Sequence, residues 1–191
     1  KFTVLENLLD KVDIMILGGA MVYTLLMAKN LPVGKSLVEP ELVSQAESFL
    51  DKVASSNKVL YIPEDHLVVR SFDAPDTQQV IASDQFESHH IGVDIGPKSI
   101  HAIERFLQQS RSIVWNGPVG VFEIPEYSTG TFSIAKCLAE SKDAKTIVGG
   151  GDSISALNLS GFSDRIDHIS TGGGASLEFL EGKELPGITV L

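Results

Sequence analysis

Hydrophobic positions along the chain follow two alternating patterns. Short apolar runs, several of them apolar on both faces, are typical of strands in a parallel sheet, and they lie at residues 13–17, 58–62, 67–69, 91–95, 112–115, 146–148 and 166–169. Longer stretches with apolar residues three to four positions apart predict helices, at residues 21–29, 40–55, 97–110, 127–141, 153–159 and 175–181. Strands that alternate with helices favour right-handed βαβ crossovers. The pattern predicts a doubly wound, Rossmann-like α/β fold with a mainly parallel sheet in three α/β/α layers.

Residues 72–90 form the least regular part of this pattern. The segment Asp73-Ala74-Pro75-Asp76 is typical of a turn, so we expect a hairpin or an excursion at one edge of the sheet. The chain contains neither a repeat of fixed period nor a linker rich in Pro, Gly and Ser. Its 191 residues, 43% of them apolar, are enough for one domain with a sizeable core. We therefore expect residues 1–191 to form a single domain.

Composition and charge exclude several classes of protein. The net charge of −10 disfavours a surface that follows the phosphates of DNA or RNA. No apolar run approaches the roughly 18–20 residues that a membrane span needs, so neither nucleic acid nor membrane is an expected partner. Cys137 is the only cysteine and cannot form an internal disulfide, which favours an intracellular, cytoplasmic location.

Eight of the seventeen glycines fall into three runs, Gly18-Gly19, Gly149-Gly150-Gly151 and Gly172-Gly173-Gly174. Each run directly follows a predicted strand and directly precedes a predicted helix. This is the carboxyl edge of an α/β sheet, where backbone amides and helix N-termini bind anions. Three such loops predict a polyphosphate site. Tight turns that need positive φ would use glycine as well, and this alternative stays open for any single run.

Two familiar phosphate motifs do not fit the sequence. Gly34-Lys35-Ser36 resembles the end of a P-loop, but Lys29 stands where the first glycine is required, and the segment follows a helix. The run that begins at Gly149 has Ile154 where the dinucleotide fingerprint needs glycine or alanine. The sequence therefore favours neither a P-loop nor a dinucleotide site.

Three polar residues beside these loops are candidates for nucleotide chemistry. Asp152 follows the second glycine run, where a carboxylate can cap a helix or can hold Mg²⁺ against a nucleotide phosphate. Asn116 and Glu123 lie in a segment rich in turn-forming residues after a predicted strand, and could bond a ribose hydroxyl or shape the loop. The residues alone leave both choices open. The histidines do not have the spacing of metal ligands.

Five segments occur in the order seen in one known family. They are residues 18–21 (GGAM), 93–97 (VDIGP), 114–123 (VWNGPVGVFE), 149–153 (GGGDS) and 170–178 (STGGGASLE). The third and fifth are long and specific, and together the segments span essentially the whole chain. The chain resembles the C-terminal, nucleotide-binding domain of phosphoglycerate kinase without its N-terminal substrate domain.

This resemblance implies an activity and its ligands. In glycolysis, the family transfers a phosphoryl group reversibly between 1,3-bisphosphoglycerate and ADP, giving 3-phosphoglycerate and ATP, with Mg²⁺ as cofactor. The chain begins at Lys1 without an initiating Met, so we expect a piece of a longer monomeric enzyme. Both triose phosphates would bind through the N-terminal domain. We therefore expect this piece alone to bind nucleotide and to be inactive as a kinase.

The resemblance also implies roles for individual residues. Lys1 is similar to a lysine that contacts the nucleotide and the transferring phosphate, and Asp152 to the residue that binds magnesium. Asn116 and Glu123 match positions near the phosphates and the ribose. The remaining positions are glycines, one apolar residue and one serine: Gly18 and Gly19 on the adenine side, Leu37 as an apolar wall, Gly92 as another nucleotide contact, Gly150, Gly151 and Ser153 in the phosphate loop, and Gly172, Gly173 and Gly174 facing the transferring group. Of these, Gly151, Gly173 and Gly174 are predicted, with Lys1, to take part in catalysis.

The chain departs from the family pattern at two places. Ala20 replaces a third glycine of the first loop, and residues 87–90 (ESHH) stand where the family commonly has a Trp-Met pair. Another nucleotide-binding enzyme on a doubly wound sheet would explain the glycine loops but neither long segment. A non-catalytic α/β interaction module would explain the composition only.

Overall fold

Strands and helices alternate along most of the chain, apart from the successive strands between residues 59 and 95, in a computed structural model, which describes residues 2–170. The strands are β1 Ile14–Ile16, β2 Val59–Tyr61, β3 Asp65–Val69, β4 Gln79–Ala82, β5 Ile91–Ile95, β6 Ser112–Asn116, β7 Lys145–Gly149 and β8 His168–Ser170. The helices are α1 Phe2–Leu9, α2 Met21–Ala28, α3 Val43–Ala54, α4 Pro97–Gln109, α5 Thr129–Glu140 and α6 Gly151–Ser160. The predicted Rossmann-like, three-layer fold is confirmed. The helix predicted at residues 175–181 lies outside the described residues.

Within residues 2–170, hydrogen-bonded strands form three sheets, and two of these are parallel. Strand β1 pairs with β2, and β6, β7 and β8 pair in that order. Helices α5 and α6 connect β6 to β7 and β7 to β8, as parallel pairing requires. The carboxyl ends of β6, β7 and β8 consequently lie at one edge of their sheet.

The third sheet is the antiparallel part of the predicted, mainly parallel arrangement. It has the order β4-β3-β5, and β3, which contains the predicted strand residues 67–69, is antiparallel to both neighbours. Parallel pairing needs a crossover connection, and the chain between β3 and β5 contains no α-helix. The predicted hairpin or excursion in residues 72–90 is confirmed, because this stretch contains β4, which pairs with β3 at the edge of the sheet.

Helix α1 is an element that the hydrophobic pattern does not predict. It is short and begins with Phe2, Thr3 and Val4, of which the last two are weak helix formers. Its stability comes from α3 instead. The rings of Phe2 and Phe49 are 6.0 Å apart, and Lys52 Nζ lies 3.6 Å from a Glu6 carboxylate oxygen. Tertiary packing thus outweighs local propensity here.

Two hydrophobic clusters pack beneath the loops at the carboxyl ends of β1 and β6. One includes Trp115 and Val148 together with Val119 of the loop after β6. The other includes Leu17, immediately after β1, and Val22 of α2. Both loops are therefore anchored by buried side chains. No helix within residues 2–170 is long and apolar enough to cross a membrane.

Candidate functional site

The loop after β6 connects several of the predicted site segments. We call residues 117–123 the central loop. Its Val119 carbonyl accepts a hydrogen bond from the Gly19 amide (3.2 Å), and its Val121 amide donates to the Val93 carbonyl of β5 (2.8 Å). The Gly117 amide donates to Ser153 Oγ of α6 (2.6 Å). The structure thus brings together the first glycine loop, β5, the central loop and the start of α6.

Glycine is required at the closest contacts between these segments. A Cβ at Gly18 would overlap Val119 Cγ1 and lie 2.9 Å from Val119 Cβ. Gly150 has φ +89°, and a Cβ there would lie 3.1 Å from Asn116 Oδ1. Close packing and turn geometry therefore account for glycine at these two positions. This agrees with the alternative interpretation that tight turns alone require glycine at a single run. It does not conflict with anion binding by the backbone amides of the same loops.

Gly151 differs from these two glycines and begins α6. It is exposed, and a Cβ there would meet no heavy atom within 4 Å. The first hydrogen bond of the helix runs from the Ile154 amide to the Gly150 carbonyl, so the amides of residues 151–153 have no partner within the helix. Together with the helix dipole, they make this N-terminus favourable for an anion.

Asp152 lies in the first turn of α6, and its side chain is exposed. Its carboxylate forms no hydrogen bond within residues 2–170 that would identify it as a cap. Among those residues, no group of three or more His, Cys, Asp and Glu side chains is placed to hold a metal ion. Mg²⁺ is commonly bound by one or two carboxylates together with substrate phosphates. A single exposed carboxylate beside an anion-binding helix end fits that arrangement.

Ser153 has a structural contact that the sequence did not predict. The residue is fully buried, and its Oγ accepts the hydrogen bond from the Gly117 amide. Trp115 Nε1 donates to the Gly117 carbonyl (2.8 Å). Gly117 is therefore fixed on both sides, and Ser153 ties the start of α6 to the central loop.

Asn116 and Glu123 lie at opposite ends of the central loop. Asn116 is the last residue of β6, is exposed, and lies beside Gly150. Glu123 is exposed at the other end. The structure thus brings Asn116 next to the predicted phosphate loop.

Gly92 and Leu37 lie close together at β5. The Gly92 amide donates to Ser36 Oγ (2.9 Å), so the neighbouring Leu37 lies beside the strand, with 71% of its surface exposed. A side chain at Gly92 would overlap the Tyr23 hydroxyl. Residues 87–90, where the sequence departs from the family pattern, lie against residues 35–37, because the Lys35 amide donates to the His90 carbonyl (2.7 Å).

The site is an open edge of the fold, and two cavities lie elsewhere. One, of about 470 Å³, lies beside α4 and α5 and is lined in part by Glu104, Lys136 and Cys137. The other, of about 260 Å³, is lined in part by Lys29 and Lys98. Neither is lined by a predicted site residue. Lys1, Gly172, Gly173 and Gly174 lie outside the described residues, so their roles stay predictions.

Sequence reasoning overlooked the residues that hold the central loop. They are Asp94 and Thr131, both buried, and two glycines outside the runs, Gly120 and Gly130. One signal was available, since Asp94 is a charged residue inside the otherwise apolar run of β5. A carboxylate in a buried strand needs partners, but the sequence does not show which.

Comparison with known proteins identifies the family. The family model described as phosphoglycerate kinase matches residues 1–183. The chain belongs to the phosphoglycerate kinase family. The resemblance seen in the five segments is thereby confirmed.

Curated relatives include phosphoglycerate kinases from Leptospira biflexa, 49% identical over 191 residues, and from Clostridium botulinum, 48% identical over 192 residues. Each match covers 100% of this chain and 48% of the relative. The solved phosphoglycerate kinase structures include those from Coxiella burnetii (TM-score 0.94, 42% identity) and Pyrococcus horikoshii (TM-score 0.83, 30% identity). Each match covers 100% of this chain, 49% of the Coxiella burnetii chain and 48% of the Pyrococcus horikoshii chain. The chain thus spans about half the length of the phosphoglycerate kinases it matches.

Proposed function

We propose that the chain is the nucleotide-binding domain of a two-domain phosphoglycerate kinase and binds Mg-ADP and Mg-ATP at the carboxyl ends of its strands. Together with an N-terminal substrate domain it would transfer a phosphoryl group reversibly between 1,3-bisphosphoglycerate and ADP, giving 3-phosphoglycerate and ATP. The observation that carries the proposal is the set of hydrogen bonds that join the central loop to the first glycine loop and to the start of α6.

Different residues at the carboxyl ends of the strands would contact different parts of the nucleotide. The amides of residues 151–153 would bind phosphate oxygens, and Asn116 lies beside them. Asp152 would hold Mg²⁺, which supplies positive charge that offsets the charge of the phosphates. The adenine side would be formed by Gly18, Gly19, Leu37 and Gly92, and Glu123 would face the ribose. Lys1, Gly173 and Gly174 complete the proposed set at the transferring phosphate.

This reaction asks little of acid–base chemistry. The acceptor of the phosphoryl group in one direction is a carboxylate, which is ionised at neutral pH, so no general base is required. Catalysis then depends on positioning and on stabilising negative charge. Because the chain carries a net charge of −10, local amides and cations must outweigh an unfavourable overall field. This favours the magnesium complex of the nucleotide as the ligand.

The partners follow from the same proposal. Both triose phosphates would bind a second domain, outside the half of the family's length that this chain spans. We propose that the complete enzyme is a cytoplasmic monomer, as the resemblance implies.

Calorimetric titration of the chain with Mg-ADP tests the binding function, and a coupled kinase assay tests turnover. We expect saturable binding and no turnover, because the triose-phosphate site is proposed to lie on the other domain. The full-length Leptospira biflexa relative serves as the positive control in both experiments. Absence of nucleotide binding would contradict the assignment, and turnover comparable to that of the relative would contradict the proposed division between domains.

Asp152→Asn is expected to weaken Mg-ADP binding about tenfold and to leave metal-free ADP binding unchanged or slightly tighter. The variant loses a charged magnesium ligand and also a negative charge that repels bare phosphates. Titrations with and without Mg²⁺ measure both affinities. The control is Asp164→Asn, an exposed aspartate in the 3₁₀ turn Ser163–Arg165, which should change neither. An equal loss for both forms of the ligand would show that Asp152 acts only on the structure of the helix.

A further inference from the structure

Asp94 is a buried residue of strand β5, and its carboxylate lies against the start of helix α5. Only 2% of the residue is exposed. Its Oδ2 accepts a hydrogen bond from the Gly130 amide in the first turn of α5 (2.6 Å), and its Oδ1 accepts one from the Ile95 amide (2.9 Å). A buried carboxylate is tolerated when it is hydrogen-bonded, and a helix N-terminus stabilises negative charge. Asp94 thus joins strand β5 to helix α5.

Two glycines make room for this carboxylate. A Cβ at Gly120, in the central loop, would lie 2.6 Å from Asp94 Cγ. A Cβ at Gly130 would lie 3.0 Å from the same atom. No side chain fits at either position without displacing Asp94. The carboxylate therefore fills the space between the central loop and α5.

Hydrogen bonds on either side of Gly120 complete this junction. The Val119 amide donates to Thr131 Oγ1 of α5 (3.2 Å), and the Val121 amide donates to the Val93 carbonyl of β5 (2.8 Å). The middle of the central loop is thus attached to both elements that Asp94 connects.

We propose that Asp94 is a positioning residue of the nucleotide site, which holds the central loop against β5 and the N-terminus of α5 and thereby fixes Asn116 and Glu123 at its two ends. This inference rests on the proposed function for its ligand. Its structural part, the position of the loop, can be measured without any ligand. Asp94 itself is buried beneath the loop and is assigned no contact with the nucleotide.

Asp65 offers a matched control within the same chain. It is also buried, with 7% of its surface exposed, and its carboxylate accepts hydrogen bonds from the Lys98 and Ser99 amides in the first turn of α4 (3.0 and 2.8 Å). Gly96 leaves room for it, as Gly120 and Gly130 do for Asp94. Among the described residues, none of its hydrogen bonds involves the central loop. Substitution at Asp65 therefore removes a similar interaction at a different place.

The experiment compares Asp94→Asn with Asp65→Asn in the chain as it stands. Urea unfolding followed by circular dichroism establishes the conditions under which both variants are folded, and calorimetry then measures Mg-ADP affinity. We expect Asp94→Asn to raise the Kd about 5- to 20-fold and Asp65→Asn to change it less than about twofold. Hydrogen exchange should become faster in residues 117–123 of the Asp94 variant and stay at the wild-type rate there in the Asp65 variant.

The outcomes distinguish failure of the proposed nucleotide binding from failure of the positioning role of Asp94. If wild type does not bind Mg-ADP, the proposed function fails, and hydrogen exchange still tests whether Asp94 positions the loop. If wild type binds and the two variants lose affinity equally, with equal exchange in the loop, the positioning role of Asp94 is overturned. Should Asp94→Asn fail to fold, Gly120→Ala tests the same contact from the loop side. It is expected to raise the Kd in the same range, and an unchanged Kd would overturn the proposal.

Discussion

Replacing Gly18 with valine is expected to lower the free energy of unfolding by about 2–3 kcal/mol, because the new side chain collides with a packed core residue. Its Cβ would lie 2.9 Å from Val119 Cβ, and Val119 is 8% exposed. The collision also separates the first glycine loop from the central loop, which are joined by the hydrogen bond from the Gly19 amide to the Val119 carbonyl. Urea unfolding measures the loss of stability. Mg-ADP affinity should fall by more than the decrease in the folded fraction explains.

Two variants control for this result. Gly151→Ala places a Cβ where no heavy atom lies within 4 Å, so its free energy of unfolding should equal or exceed that of wild type. Combining Gly18→Val with Val119→Ala removes Val119 Cγ1, the atom nearest to the new Cβ, so the double variant should be more stable than the sum of the single effects predicts. A Gly18→Val variant as stable as wild type would contradict the packing of the two loops.

Acidification from about pH 7 to pH 4 is expected to remove about 3 kcal/mol of stability contributed by His66. Burial lowers the pKa of His66 to about 4, and the nearby Asp65 carboxylate acts in the opposite direction. The unfolded chain takes up a proton near pH 6.5, whereas the folded protein does so only near pH 4. The contribution is therefore fully present above pH 6.5 and is lost as the pH falls through this window. The measurement is the difference in unfolding free energy between wild type and His66→Phe across this range.

The contribution of Asp94 to the free energy of unfolding changes with pH in the opposite direction to that of His66. The effect of His66 must therefore be measured as a difference between wild type and His66→Phe. Burial raises the pKa of Asp94 to about 7, although the amides of Gly130 and Ile95 act to lower it. Its contribution is fully present below pH 3.8 and is lost as the pH rises to about 7, so between pH 7 and pH 4 it changes in the opposite direction to that of His66 and by a similar amount. Phe49→Leu is the control, since Phe49 is fully buried and its ring packs against Phe2 and not against His66, so it should lower stability equally at each pH. A difference between wild type and His66→Phe that stays constant with pH would contradict the prediction.

The sequence alone predicted those elements whose signal is local. Residues 91–95 and 97–110 were predicted as a strand and a helix, and the structure has β5 at Ile91–Ile95 and α4 at Pro97–Gln109. The boundary is well defined because Pro97 favours the first position of a helix and disfavours a continuing strand. Periodicity and boundary residues act over only a few positions, so they can be recognised without knowledge of the fold.

Elements without such a signal were found only in the structure. In β4, Val80 is 53% exposed, so its edge position leaves little burial to shape the sequence pattern. Helix α1 depends on Phe49 and Lys52 of α3, more than forty residues away along the chain. The antiparallel direction of β3 follows from the way the chain connects it to β5. None of these features is determined by neighbouring residues in sequence.

The candidate site shows the same division. The sequence alone placed Gly18-Gly19 and Gly149-Gly150-Gly151 at junctions between a strand and a helix, and the two long segments determined the family. In the structure Gly149 is the last residue of β7 and Gly151 the first of α6. Only the tertiary structure decided that the central loop joins them, through contacts such as that between Gly117 and Ser153, 36 residues apart. Asp94 was likewise visible only as a charge in an apolar strand until Gly120 and Gly130 were placed around it. The reason is physical: local preferences act between residues close in sequence, whereas hydrogen bonds and steric fit between loops depend on distances that the packed core sets.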